Sequence, residues 1–362
     1  MITLLIPTMN RSDFLIRQLR YYEKTGFTGY ICIGDSSEDS QIARTRGAIS
    51  KLKNNINIIY KEYPGTSDGE VLKRLLDFVV TPYAAFVADD DFLVPTALEQ
   101  CIIFLENHNE YSSVHGKSLT IYLKSEGAYG GVVGARDYPL PIVEGEPASM
   151  RIKQHLGHYS VTLFGVHRME SWRKMYQDIS GLADRTFAAE LMPCCLSVIF
   201  GKAKEIDCLY LVRQDHPHRY LLPEARKWVS NPNWLSQYEI FLGFLVKALV
   251  EEDNTSKEQA GEVVEQAFGD YMTNLLGREW RKFVGKETQV NKLRQVIRTV
   301  PGALPIWSVF QSWKHRRPND ISLLKSILQP ASPFHREFMT IYSMVTENNL
   351  HLDDYTFGPT LI

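Results

Sequence analysis

Apolar runs of strand length alternate with helical patterns over the first hundred residues. The runs that read as strands cover residues 2–7, 30–34, 56–60 and 83–88. The segments with helical spacing of apolar residues, the first of them preceded by Ser12 as a suitable cap, cover residues 12–24, 41–53 and 69–79. Strands that alternate with helices predict an α/β fold: a mostly parallel, Rossmann-like sheet with helices on both faces.

The pattern changes further along the chain. Strands are predicted over residues 113–123, 160–166 and 204–212, and a helix over residues 185–200. Gly and Pro residues between 127 and 147 predict a long loop, which in a compact domain is usually functional. Beyond Pro223 the pattern is helical at residues 234–250 and 257–276, with prolines breaking it at 301–305. We therefore divide the chain into an α/β domain, residues 1–222, and a helical C-terminal region, residues 223–362.

Composition and charge narrow the class of protein. The chain has 362 residues, of which 44% are hydrophobic and 23% charged, as is ordinary for a globular protein with a substantial core. A net charge of −2 lacks the basic field that a dedicated nucleic-acid binder needs, so we expect no nucleic-acid partner. Five cysteines without regular spacing predict packed free thiols and not a disulfide framework.

The start of the sequence and the length of its apolar runs indicate where the protein is located. The first strand begins at Ile2 without a basic region or cleavage site before it, and no apolar run is long enough to span a bilayer. We therefore expect a cytoplasmic location. Residues 305–317 mix aromatic and basic side chains and favour a core-packing helix, with peripheral contact at the inner face of the membrane as the alternative. The C-terminal helices could equally serve homo-oligomerisation.

Three consecutive carboxylates, Asp89, Asp90 and Asp91, follow the apolar run that ends at residue 88. Pro95 suits the first turn of a following helix, which places the acids at the carboxyl end of a strand, where open α/β sheets bind ligands. Because adjacent carboxylates repel one another, a cation must make the cluster tolerable, and Mg²⁺ or Mn²⁺ does so with oxygen ligands. The alternative is a solvated acidic turn that caps the next helix.

Two other strand ends carry candidate binding residues. Pro7, Thr8, Asn10 and Arg11 follow the first strand and could contact a nucleotide, although no Gly-x-Gly-x-x-Gly or Walker motif is present. Dinucleotide redox chemistry and P-loop hydrolysis therefore lose most of their support. Asp35 ends the second strand and could accept hydrogen bonds from a base or sugar, with an Asx turn or helix cap as an equally weighted alternative.

Two acids near the predicted helix at 185–200 are candidate catalytic residues. Asp184 and Glu190 would lie about 240° apart on an α-helix, so both cannot face one cleft from that helix. Asp184 has an available role as the helix cap. Glu190 lies in an apolar stretch, where a raised pKa would suit a general base and a salt bridge is the alternative.

A polar segment follows the predicted strand at 204–212. It contains Arg213, which could neutralise a diphosphate, and His216 and His218, either of which could complete a metal site. The alternative is a polar surface loop.

These residues together resemble the GT-A-fold, family-two-like bacterial glycosyltransferases. The resemblance rests on residues 3–11 as the opening strand and nucleotide loop, on residues 34–37, and on Asp89 to Asp91 with Pro95. It implies that Asp89 and Asp91 are the acids of a DxD motif, with Asp90 as a ligand in the shifted register. Such a motif binds Mn²⁺ or Mg²⁺ and the diphosphate of a nucleotide-sugar donor.

The resemblance also implies a reaction. A sugar would pass from the donor to an acceptor hydroxyl with inversion, and Glu190, eleven residues before Gly201, matches the spacing of the family's catalytic acid, whereas Asp184 does not. The family's usual Glu-Asp pair is Ala189-Glu190 in this chain. The acceptor would be a glycan, a lipid-linked molecule or a protein in bacterial surface-glycan synthesis, with residues 127–147 as an acceptor loop or lid.

Two other functions remain open from the sequence. One is a catalytically inactive binding or scaffold protein of the same fold. The other is a nucleotidyltransferase, which would prefer a glycine-rich loop after the first strand; residues 7–11 contain no glycine.

Overall fold

The computed structural model describes residues 1–52, 54–177, 181–219, 222–299 and 318–346. Nine strands form one sheet. Their bounds are β1 Ile2–Thr8, β2 Tyr30–Asp35, β3 Asn57–Glu62, β4 Tyr83–Phe86, β5 Phe92–Leu93, β6 Tyr111–Leu123, β7 Val132–Asp137, β8 Val166–Arg168 and β9 Lys202–Asp215.

The helices cover most of the remaining described residues. Their bounds are α1 Ser12–Lys24, α2 Asp39–Leu52, α3 Asp68–Leu75, α4 Pro95–Asn107, α5 Ala148–Gly157, α6 Met169–Tyr176, α7 Met192–Ile199, α8 Ala225–Val229, α9 Trp234–Asp253, α10 Lys257–Thr299, α11 Pro318–Ile327 and α12 His335–Thr346. Short 3-10 helices span Leu76–Phe78 and Thr162–Phe164, and a π-helix spans Thr186–Leu191.

The sheet has a parallel half and a mixed half. Its strand order is β3-β2-β1-β4-β8-β6-β9-β5, and β7 pairs with β6 outside this path. The pairs β2 with β3, β1 with β2 and β1 with β4 are parallel, as is the long pair β6 with β9. The remaining pairs are antiparallel and involve the short strands β5, β7 and β8. This architecture confirms the predicted α/β class.

Side chains of the central strands alternate between two hydrophobic cores. In β1, Leu4 and Ile6 enter one core, and Leu5 enters the other. This period of two is expected for a strand covered on both faces. The first core is closed by α1, α4, α11 and α12, and the second by α3, α5, α6, α7, α9 and α10.

The described helices beyond residue 222 therefore pack into the same two cores as the α/β part. Phe338 of α12 lies in the first core, and Phe241 of α9 and Phe268 of α10 lie in the second. Arg136 of β7 also forms an ion pair with Asp320 of α11, at 2.8 Å. The boundary at residue 222 and homo-oligomerisation through these helices stay predictions.

Two local predictions are wrong. The expected strand over 160–166 is a 3-10 helix, Thr162–Phe164, followed by β8, because His167 and the Gly165 amide both bond to the Thr162 carbonyl and tighten the chain there. The expected loop over 127–147 contains β7, which pairs with β6. The helix expected over 185–200 is confirmed, with its first part a π-helix that leads into α7.

The remaining expectations concern Pro95, the cysteines, membrane-spanning helices and residues 301–317. Pro95 opens α4, as predicted. All five cysteines are free and buried, also as predicted. Across the described ranges no helix is long and apolar enough to cross a bilayer. The predicted break at 301–305 and the aromatic and basic segment 305–317 lie outside the described residues.

Close packing of β6 against β9 generates a stability prediction. A Cβ added at Gly116 in β6 would overlap the carbonyl oxygen of Cys208 in β9. It would also lie 2.9 Å from the Cβ of Tyr210 in the same strand. We expect Gly116→Ala to lower the free energy of unfolding by about 2 kcal/mol in urea denaturation, since the clash is partly with backbone. Gly47→Ala in α2 is the control, because nothing lies within 4 Å of its added Cβ. That variant should be neutral or slightly stabilising; equal losses in both variants would contradict the close approach of β6 to β9.

Candidate functional site

The register of the sheet brings three polar segments to one edge. In the parallel pair of β1 and β4, Leu5 lies opposite Phe86, and the same offset carries Thr8 to Asp89. In the antiparallel pair of β5 and β9, Phe92 lies opposite Val212. The residue before Phe92 therefore faces the residue after Val212, which places Asp91 beside Arg213. The acid cluster thus lies between the ends of β1 and β9.

Asp89 is held by the segment that follows β1. Thr8 Oγ1 donates a hydrogen bond to Asp89 Oδ2 at 2.6 Å. Arg11 Nη2 lies 2.7 Å from Asp89 Oδ1, as an ion pair without hydrogen-bond alignment. The Asp89 side chain is fully buried, and burial raises its pKa to about 7 while Arg11 acts in the opposite direction.

Asp90 is held from both sides. Arg11 Nη1 donates to Asp90 Oδ2 at 2.9 Å, and His216 Nε2 lies 2.7 Å from the same oxygen. The His216 ring is buried and stacks on Phe14 with a centroid distance of 4.5 Å. Burial acts to raise the pKa of Asp90, but His216 and Arg11 outweigh it and lower that pKa.

Asp91 is held by β9. Arg213 Nε donates to Asp91 Oδ2 at 2.8 Å, and the backbone amide of Gln214 donates to Oδ1 at 3.2 Å. The Arg213 guanidinium also lies over the rings of Tyr138 and Phe164, each 4.6 Å from the ring centroid. Burial alone would lower the pKa of Arg213, but the Asp91 carboxylate raises it above its ordinary value.

Two side chains of α1 fix the backbone of the cluster. Gln18 Nε2 donates to the carbonyl oxygens of Ala88 and Asp91 at 2.7 and 2.6 Å. Arg17 is fully buried, and its Nη2 donates to the Asp90 carbonyl oxygen at 2.8 Å. Burial lowers the pKa of Arg17 to about 10, so it stays charged at neutral pH. Three guanidiniums, those of Arg11, Arg17 and Arg213, therefore balance three carboxylates.

The sequence did not single out Arg17 or Gln18. Phe14, Gln18 and Tyr21 are four and three residues apart and share one face of α1, with Arg17 beside them. A polar pair within an otherwise buried helical face was the signal that could have identified them.

The segment after β1 is fixed to the turn after β2. Asn10 has φ of 56°, a left-handed conformation that Asn tolerates better than most residues. The backbone amide of Asn10 donates to Ser37 Oγ at 2.7 Å, and the side-chain Oδ1 of Asn10 accepts from the backbone amide of Glu38 at 2.9 Å. Pro7 lies opposite Gly34 in the parallel pair of β1 and β2.

Asp35 is occupied within the chain. The Ser37 amide donates to Oδ1 at 2.9 Å, and the Tyr60 hydroxyl donates to Oδ2 at 2.8 Å. Asp35 is fully buried. This geometry is the Asx turn that was the alternative for Asp35, and its role as a donor contact stays a prediction.

Glu190 lies in the π-helix and contacts Tyr159, which packs against the second core. The Tyr159 hydroxyl donates to Glu190 Oε1 at 3.0 Å. Burial raises the pKa of Glu190, whereas the Tyr159 hydrogen bond, Arg185 and Arg213 act to lower it. Since Arg213 also binds Asp91, the same guanidinium acts electrostatically on the acid cluster and on Glu190.

Asp184 has the structural role that its position suggested. Its Oδ1 accepts from the Phe187 amide at 3.0 Å and from Trp228 Nε1 at 3.1 Å. The angle of 240° between Asp184 and Glu190 assumed an α-helix and does not apply to the π-helix. Neighbouring Arg185 contacts Asp68 at the start of α3, with Nε 2.6 Å from Oδ1.

A cavity of about 180 Å³ opens beside the acid cluster. Arg11 and the start of α1 form one side, and His218, which is exposed, forms another. Gln41 of α2 and residues 127–128 complete the lining. His218 therefore lies at the cavity, and its ring centroid is 6.3 Å from that of His216. Among the described residues, no recorded contact joins His218 to the three carboxylates.

A divalent cation binds carboxylate oxygens most readily where cationic groups of the protein do not already contact them. Both oxygens of Asp89 and both oxygens of Asp91 contact side chains or amides of the chain itself. Among the described residues, no three His, Cys, Asp or Glu side chains are grouped so that they could hold a metal ion. The arrangement therefore does not fit Mn²⁺ or Mg²⁺ bound by Asp89, Asp91, His216 and His218, and that ligand set stays a prediction without support from the geometry.

The α/β sheet, its strand order and its polar carboxyl edge define a GT-A-like fold. Residues 1–349 of S. aureus TarS in complex with UDP-GlcNAc have a similar structure, with a TM-score of 0.50 and 13% identity over 95% of this chain and 89% of that one. The same fragment in complex with UDP gives a TM-score of 0.46 and 13% identity over 100% and 94% of the two chains.

A longer S. aureus TarS structure gives a TM-score of 0.46 and 12% identity over 75% of this chain. This chain spans 43% of that longer one. No family model and no curated protein sequence matches the chain.

The ion pair of Arg213 and Asp91 generates a prediction about stability. We expect Arg213→Gln to lower the free energy of unfolding by about 3 kcal/mol at pH 8, because Asp91 would remain buried without its cation. The loss should shrink as pH falls, since the unpaired carboxyl has a raised pKa and takes up a proton in the folded state. Urea denaturation at several pH values measures both effects.

The matched control is Arg74→Gln, which removes one arginine from an exposed pair with Glu70. It should cost about 1 kcal/mol or less. Equal and pH-independent losses in the two variants would show that Asp91 does not depend on Arg213.

Proposed function

We propose that this protein is a glycosyltransferase that moves a sugar from a nucleotide-sugar donor to an acceptor hydroxyl with inversion. The observation that carries the proposal is the pairing of Arg11 and Arg213 with the acid cluster at the carboxyl edge of a GT-A-like sheet, with Glu190 near enough to Arg213 for its pKa to respond to that charge. The ligand of the TarS fragment, UDP-GlcNAc, makes UDP-sugars the first donors to test.

The proposed donor site lies at the cavity beside Arg11. Arg11 lines this cavity, and the side chains of Arg11 and Arg213 are each about one-fifth exposed while they remain paired with carboxylates. Arginine forms paired hydrogen bonds with phosphate oxygens, which suits a nucleoside diphosphate. Thr8, the last residue of β1, and Asn10, two residues further on, complete the proposed donor contacts.

The proposed chemistry has two parts. Glu190 removes the proton from the acceptor hydroxyl, and the acceptor oxygen attacks the anomeric carbon from the side opposite the diphosphate. The bond between the anomeric carbon and the diphosphate oxygen breaks, and the electron pair leaves with the nucleoside diphosphate. The arginines stabilise the charge that develops on this leaving group. The acceptor class, surface-glycan synthesis and a cytoplasmic location stay predictions.

A test of donor turnover separates this function from a non-catalytic scaffold and from a nucleotidyltransferase. We expect the protein to release UDP from UDP-GlcNAc or another UDP-sugar, with an acceptor or slowly with water. Glu190→Gln should lower the rate by 10²- to 10⁴-fold, about the usual contribution of a general base. Glutamine can still accept the Tyr159 hydrogen bond, so the melting temperature should not fall.

The alternatives give different results in this assay. Nucleotide binding without release from any sugar donor would favour the scaffold, and release of pyrophosphate from a nucleoside triphosphate would favour the nucleotidyltransferase. Near-normal turnover in folded Glu190→Gln would remove Glu190 from the base role.

The raised pKa of Glu190 generates a pH prediction. A general base acts in its deprotonated form, so the rate should fall as pH drops through the pKa of Glu190, at a pH above the ordinary glutamate value of 4.5. Tyr159→Phe removes a hydrogen bond that stabilises the carboxylate, so it should move this acidic limb to higher pH. Rates measured from pH 4 to 9 check both variants; an unmoved limb in Tyr159→Phe would show that another group controls it.

A further inference from the structure

We infer that this protein binds the nucleoside diphosphate of its donor without a divalent metal, and that the three carboxylates serve to position Arg11 and Arg213 for the phosphates. The inference rests on the proposed function and specifies how its donor site works. It reverses the roles that an acid cluster at this place in the fold suggests: the carboxylates bind arginines, and the arginines bind the ligand.

The first argument is the occupancy of the carboxylates. Asp89 and Asp91 have both oxygens in contact with groups of the chain, and Asp90 Oδ2 contacts both Arg11 and His216. A metal bound through Asp89 or Asp91 would have to compete with these contacts for the same oxygens. A displaced guanidinium would lose a charged hydrogen bond in a site where the carboxylate side chains are almost completely buried.

The second argument is the balance of charge. Arg11, Arg17 and Arg213 supply one positive charge for each of the three carboxylates. Without nucleotide, a dication added to this set would leave an excess of positive charge in a buried region. The cation that the acid cluster requires is therefore already part of the protein.

The third argument is the orientation of the arginines. Arg213 is fixed by Asp91 on one side and by the rings of Tyr138 and Phe164 on the other. Arg11 is fixed by Asp89 and Asp90 and lines the cavity at the start of α1. Each guanidinium has five N–H donors, more than these carboxylate contacts use. Guanidiniums held in this way lose little freedom when a diphosphate binds.

The decisive experiment is calorimetric titration of the full chain with UDP, GDP and dTDP, first in EDTA and then with Mn²⁺. We expect one of the three to bind in EDTA, with a dissociation constant that changes less than about threefold when Mn²⁺ is added. UMP should bind at least tenfold more weakly than UDP if UDP is the ligand, because it lacks the second phosphate.

The possible failures are distinguishable. Binding that requires Mn²⁺, or becomes more than tenfold tighter with it, would overturn the inference and leave the proposed function standing. Absence of binding of all three nucleotides in both conditions would overturn the proposed function, and the inference with it.

A second measurement addresses the metal directly. The electron paramagnetic resonance signal of free Mn²⁺ should be unchanged when the protein is added without nucleotide. Because UDP itself binds Mn²⁺, the signal with protein and UDP should equal the signal with the same concentration of UDP alone. A further loss of one equivalent on addition of protein, in either condition, would overturn the inference.

Variants test the arginine. Arg11→Gln should weaken UDP binding in EDTA at least tenfold, whereas Arg46→Gln, which removes the same charge from an exposed pair with Glu62, should leave it unchanged. If Arg11→Gln does not fold, Arg11→Lys keeps the charge and loses the paired geometry, and it should still weaken binding. Unchanged binding in folded Arg11 variants would overturn the role of this arginine.

Discussion

The structure depends on how three consecutive carboxylates are neutralised inside a protein. Asp89, Asp90 and Asp91 are buried to within a few percent of their surface. Burial and mutual repulsion both disfavour the charged forms, so the site exists only because cations come to it. Those cations come from Arg11 after β1, Arg17 in α1 and Arg213 in β9. Elements far apart in the sequence are thereby fixed to one point.

This network also orders the segments around the cavity. Arg17 donates to the carbonyl oxygen of Ala128 and to the side chain of Gln214, and Gln214 in turn donates to the Gly127 carbonyl oxygen at 2.8 Å. The backbone amide of Gln214 also donates a hydrogen bond to Asp91. Residues 127–128 therefore adopt their place because of the same contacts that neutralise the acids. The segment that the sequence predicts as an acceptor loop is attached at this end to the acid cluster.

Much of the fold could be predicted from local patterns, because a strand or helix that enters a core leaves a period of two or of 3.6 in the sequence. The acid cluster after β4 and Pro95 at the start of α4 follow in the same way. The partners of the acids could not be predicted. The sequence indicated that a cation was needed and a metal was the natural choice, but the position of Arg213 depends on the pairing of β9 with β5, a strand of two residues that leaves no periodic signal.

The π-helix before α7 was missed for a related reason. Pro193 has no N–H to donate to the Ala189 carbonyl, which disfavours a regular α-helix there, yet the apolar pattern alone does not reveal the change in hydrogen bonding.

Arg213 connects the two halves of the proposed chemistry. It pairs with Asp91 in the acid cluster, and its charge also lowers the pKa of Glu190 against the effect of burial. A change at Asp91 alters how strongly Arg213 is held, and so alters the electrostatic environment of Glu190. A change at Glu190 in turn removes a negative charge that interacts electrostatically with the same guanidinium. Substitutions at the acid cluster and at Glu190 therefore act on one shared cation, and their effects are not independent. Under the proposed function, the arginine that would bind the leaving diphosphate would also adjust the pKa of the glutamate that would activate the acceptor.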